Sequence, residues 1–129
     1  MKDFLIELLE TFGYPVYLQG SLEPTQAYPE AFFTFWNNTT EDRAHYDNGA
    51  IDWVWSFDVN FYATSPDLVN SELLAAIKLL KQNGFIISGK GHDVGSDEIT
   101  HTGRGVTALI IERNEETENV SEQKPERNR

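Results

Sequence analysis

The clearest pattern in the chain runs from Ile51 to Tyr62. The odd positions are Ile51, Trp53, Trp55, Phe57, Val59 and Phe61; the even ones are Asp52, Val54, Ser56, Asp58, Asn60 and Tyr62. Period-two alternation of this length predicts a strand with one buried and one wet face. Upstream, Phe4, Leu5, Leu8, Leu9 and Phe12 recur at helical spacing, with Lys2, Glu7 and Glu10 mostly opposite, and Gly13 and Pro15 stop the helix. Val16–Leu18 reads as a short strand, Gly20–Pro29 as a loop, and the aromatic run Ala31–Trp36 as a buried strand. Ser65-Pro66-Asp67 has the form of a helix start: a hydroxyl cap, a proline in the first turn and an acid at the positive dipole end. Leu73, Leu74, Ile77 and Leu80 make that helix's apolar stripe, and Lys78 and Lys81 lie near its end before Gly84.

Phe85–Ile87 follows as a strand. Six of the nine glycines fall between Gly84 and Gly105 and frame an expected loop from about residue 88 to 103. Val106–Ile111 is the last strand, apolar on both faces and so expected to be central or covered twice. Helix, strand, strand, strand, helix, strand, strand is the order of an α+β fold. The expected architecture is a mainly antiparallel or mixed sheet of about five strands with two helices packed on one face. Residues 37–49 form an expected connection of unusual length, and such loops are often functional.

Composition narrows what the domain can do. The 129 residues include no cysteine, which removes disulfides, thiol nucleophiles and cysteine zinc sites. Twenty-one acids against 10 Lys+Arg leave a net charge of −11 and no basic patch for nucleic-acid phosphates. Residues 1–111 carry net −9, with 15 acids and 6 bases. In 112–129 the only large apolar side chain is Val120, so the expected division is a domain over 1–112 and a disordered charged tail over 113–129. The opening lacks the basic start and unbroken apolar run of a secretory signal, and no stretch is apolar enough to span a bilayer.

Candidate chemistry is sparse. His92, Asp93, Asp97, Glu98 and His101 lie within ten residues but match no metal-ligand spacing, and a polar surface loop accounts for them without a metal. Gly89-Lys90-Gly91 and Gly103-Arg104-Gly105 lack the spacing and the Lys-Ser/Thr of a phosphate loop; they read as hinges, or as contacts for another protein's carboxylates. Asp52 and Asp58 are six residues apart on one strand, roughly 20 Å, too far to act as a pair, and read as a solvated face. No nucleophile elbow is present, so neither an enzyme nor a cofactor is expected. The aromatic residues exceed what one core beneath two helices needs. If Trp36 or Tyr62 lies on the outer face, it is a natural protein–protein anchor.

Three stretches carry a resemblance. They are the opening from Met1 to Ser21, Phe33–Asn38 with Tyr46-Asp47-Asn48, and Gly89–Asp93 through His101–Gly105. In pattern and order they resemble the tail terminator and head–tail joining proteins (tail completion, "minor capsid") of tailed phages and prophages of Gram-positive bacteria. The resemblance covers about residues 1–112. It implies a structural virion protein, assembled in the host cytoplasm, that self-associates into a ring, typically a hexamer, at the head-proximal end of the tail. The implied partners are the tail tube protein and the head connector, with DNA passing through without specific binding and no membrane. An acidic lumen suits that role, because a basic one would hold the DNA. The expected contacts are the loops 38–49 and 88–104, with Arg43, His45, Tyr46, Lys90, His92 and Arg104 as interface residues. The alternative is an acidic phage-encoded DNA mimic that inhibits a host nucleic-acid-binding protein. Against it, the acids are scattered among aromatic residues and form no phosphate-like row.

Overall fold

The computed structural model describes residues 1–21, 28–44 and 51–113. Helix α1 (Lys2–Glu10) leads into β1 (Val16–Leu18), followed by β2 (Ala31–Ala44), β3 (Ile51–Ala63), α2 (Pro66–Gln82), β4 (Ile86–Ile87), β5 (His92–Val94) and β6 (Thr102–Glu112). The sheet order is β1-β2-β3-β6-β4, with β5 also on β6. Only the β1–β2 pair is parallel; β2–β3, β3–β6, β4–β6 and β5–β6 are antiparallel. The fold is therefore the expected α+β arrangement of a mixed sheet with two helices against one face, built on six strands.

The alternation in β3 does what its period requires. Phe57, Val59 and Phe61 are buried beneath the helices, and register places Phe61 opposite Phe33 and Val59 opposite both Phe35 and Val106. From α1, Leu5 and Leu9 enter this core; from α2 come Val69, Leu73, Ala76, Ile77 and Leu80. Phe33 and Phe61 meet with ring centroids 4.7 Å apart, and Phe4 of α1 stacks on Phe85 at 6.0 Å. Each fully buried phenylalanine contributes about 1.5–3 kcal/mol of hydrophobic stabilisation. Helix α2 starts as its sequence predicts, with Ser65 Oγ accepting from the Leu68 amide at 3.4 Å. It ends before Gly84, whose φ of +97° is open to glycine at little cost.

Two expected loops are corrected. Within 38–49, residues 38–44 continue β2, which runs eight residues past Trp36 and pairs with β3 as far as Ala44 opposite Ile51. Residues 45–50, with the expected contacts His45 and Tyr46, lie outside the described residues. A bulge at Asn38 restores the face register, so that Thr40 and Asp42 pair opposite Trp55 and Trp53. Within 88–104, β5 forms, and β6 begins at Thr102, four residues before the expected strand.

Gly103 and Gly105 are not hinges. They sit in β6 opposite Tyr62 and Asn60. A Cβ on Gly103 would come within 2.6 Å of the Tyr62 ring, and one on Gly105 would collide with the Asn60 amide oxygen. These glycines make room for side chains from β3. Strand β6 is interior, paired with β3 on one side and with β4 and β5 on the other, and it ends at Glu112. From residue 114 onward the expected disordered tail lies outside the described residues.

Candidate functional site

The helices cover one face of the sheet and leave the other to its own side chains. On that outer face Trp36 is 48% exposed, and Ile86, at the opposite edge beside Leu109, is 57% exposed. Between them Asp58 ties three strands together: its Oδ1 accepts from Asn38 Nδ2 at 2.9 Å and Thr107 Oγ1 at 3.0 Å. Asp58 is thus a cross-strand anchor, and Asp52 is buried. The reading of these two as a freely solvated face is corrected on both counts.

The expected interface residues do not form one site. Arg43 lies near the end of β2, its backbone opposite Asp52, whereas Arg104 pairs opposite Phe61. Nine residues of β3 separate those positions, roughly 30 Å. Lys90, His92 and Arg104 do gather at the β5–β6 edge, with Lys90 and His92 exposed. Arg104 is already engaged within the chain. Its Nη1 donates to Asp93 Oδ1 at 2.8 Å and its Nη2 to the Lys90 carbonyl at 3.2 Å, closing the turn before β5.

At the β1 end of the outer face, β1, β2 and β3 build a second aromatic group that sequence reasoning missed. Phe32, only 2% exposed, is surrounded by three tyrosines: Tyr17 at 5.9 Å, Tyr28 at 5.4 Å and Tyr62 at 5.3 Å between ring centroids. His101 backs the group, 5.6 Å from Tyr28 and 6.0 Å from Phe32. It was expected in a polar loop but is 9% exposed, and both ring nitrogens are occupied. Nε2 lies 2.8 Å from the Pro29 carbonyl oxygen and must donate to it; Nδ1 lies 3.0 Å from the Thr100 hydroxyl. Among the described residues no group of three or more His, Asp or Glu is placed to hold a metal.

Beside Phe32 the three tyrosines and Asp97 enclose a cleft of about 180 Å³. Thr34 also lines it, buried at 6% exposure. The Tyr28 hydroxyl donates to Asp97 Oδ2 at 3.4 Å. The Tyr62 phenol is pushed above its ordinary value by burial and by the Asp97 charge, partly offset by the neighbouring Thr34 and Asn60 side chains. Tyr28 is raised by burial and then by Asp97 and Glu98. The carboxylates therefore set a negative potential over the cleft, and the phenols stay protonated.

No protein-family model matches the chain, and no curated protein matches it. What the protein does must be read from its own residues and geometry. The signal that could have found the cleft was present in the alternation. Phe32 and Tyr62 occupy the wet-face positions of their strands, where two large aromatics need a cover of their own. Among the described residues no helix is long and apolar enough to cross a membrane.

Proposed function

We propose that the protein is a structural subunit of a tailed-phage virion, a tail terminator or head–tail joining protein that closes into a ring at the head-proximal end of the tail. The resemblance of residues 1–112 to that family supports the reading. The observation that carries it is the free outer edge of β2. Strand β1 covers that edge only along Phe33–Phe35, and among the described residues no strand pairs with the eight or so residues beyond. Such an edge is a template for a strand of another chain. The opposite edge, made of β4 and β5, differs in sequence and shape, as a head-to-tail contact that closes a ring requires.

The hydrogen-bond register gives a specific test. The Phe35 carbonyl accepts from Gln19 and the Phe33 amide donates to Pro15, so both residues present their backbone to the outer edge. The bulge at Asn38 shifts that parity, so beyond it Thr40 and Asp42 turn their amides outward. Thr40→Pro therefore removes an edge donor while leaving the β2–β3 ladder paired. Light scattering across a concentration range is expected to give a closed oligomer near six subunits for the parent, alone or on purified tail tubes, and a folded monomer for Thr40→Pro. A parent that stays monomeric even with tail tubes present overturns the ring reading. An oligomer unaffected by Thr40→Pro places the contact elsewhere.

A further inference from the structure

The cleft beside Phe32 is independent of the ring reading, and its chemistry is specific. Buried Phe32 lies at its base, its walls are the rings of Tyr17, Tyr28 and Tyr62, and among the described residues its one charged lining group is Asp97. Aromatic faces carry negative quadrupole potential and attract cations within about 6 Å of the ring centroid. The carboxylates that raise the Tyr28 and Tyr62 phenols add to that potential. The volume sets the size. At about 30 Å³ per water, 180 Å³ is room for some six waters, below the range of drug-sized or nucleotide sites.

We propose that this cleft binds a single cationic group, an ammonium or guanidinium, held among the rings of Tyr17, Tyr28 and Tyr62 with Asp97 as counter-ion. The group comes either as a free small amine or as a Lys or Arg side chain of another polypeptide.

The test is an NMR titration of the full chain with Nα-acetylarginine amide, its neutral isostere Nα-acetylcitrulline amide, tetramethylammonium, and a Gly/Ser peptide carrying one central Arg. Saturable shifts of the Tyr17, Phe32, Tyr62 and Asp97 signals are expected with the cations in the millimolar range, and none with citrulline. Asp97 is exposed, so Asp97→Asn keeps the fold, and it is expected to weaken arginine binding about tenfold. Tyr17→Ala should weaken it by a similar factor. Tighter binding of the peptide than of the free cations identifies a side chain of a partner protein as the source; the reverse identifies a small amine. Equal binding of citrulline, shifts confined to other regions, no saturation with any cation, or an unchanged affinity in a folded Asp97→Asn protein each overturn the proposal.

Discussion

At Gly105 a single hydrogen stands where any other residue would drive a methylene into the Asn60 amide oxygen. Gly105→Ala is expected to cost about 1–3 kcal/mol, the usual penalty for overpacking. Adding Asn60→Ala should return part of that loss, because the two residues share one contact. Urea unfolding of the two single variants and the double one checks this, and additive losses would count against the close packing. The tyrosines give a pH prediction. Tyr62, Tyr28 and Tyr14 all have phenols raised above 10.0, first of all by burial. Above that pH the unfolded chain loses phenol protons that the folded chain keeps, so the native state binds more protons and stability falls as pH rises through the folded values. Denaturant midpoints measured from pH 9 to 11 should show the decline, and Tyr62→Phe should make it shallower. An unchanged slope in Tyr62→Phe would remove Tyr62 from the account.

Among the elements, α2 shows how a short apolar stripe divides. Leu73 is fully buried against the sheet, while its neighbour Leu74 is exposed. Leu73→Ala is expected to cost about 2–5 kcal/mol, and Leu74→Ala to stay within about 0.5 kcal/mol. Thermal or chemical unfolding separates them, and comparable losses would mean that the helix packs on a different face. Both helices, β1 and the core of β3 were legible because period and end signals agreed locally. The outer half of β2 was not, since Asn37-Asn38-Thr39-Thr40-Glu41-Asp42 has no apolar alternation and is extended only because β3 pairs with it. The start of β6 was missed for a related reason. Gly103 and Gly105 suggest a loop until Tyr62 and Asn60 are placed opposite them, and no local rule carries that information.

For the whole molecule, the consequence is a domain finished on one side and open on the other. One sheet face is sealed by α1 and α2. The other carries exposed Trp36 and Ile86, and among the described residues no strand covers the outer half of the β2 edge, the kind of feature through which a subunit of an assembly makes contact. Of the expected interface residues, Arg104 is the poorest probe, because it holds Asp93 and the Lys90 carbonyl and its loss disturbs the β5 turn. Lys90 is exposed and among the described residues its side chain has no such duty, so Lys90→Glu is the cleaner charge reversal. If the proposed ring forms, Lys90→Glu is expected to weaken it in sedimentation velocity while leaving the melting temperature within a few degrees. Intact assembly would exclude the β4–β5 edge as a charge-guided contact.

Sequence alone determined the two helices, the α+β class, the buried face of β3, the acidic balance and the absence of thiol chemistry. Each depends on composition or on residues within a few positions of one another. Only the tertiary structure decided how far β2 runs, that two glycines of β6 are packing positions, that His101 is buried between Pro29 and Thr100, and that Tyr17, Phe32, Tyr62 and Asp97 share one cleft. These depend on which strand lies beside which. That choice is made by burying Phe33, Phe57 and Phe61 together, over separations that local periodicity does not reach.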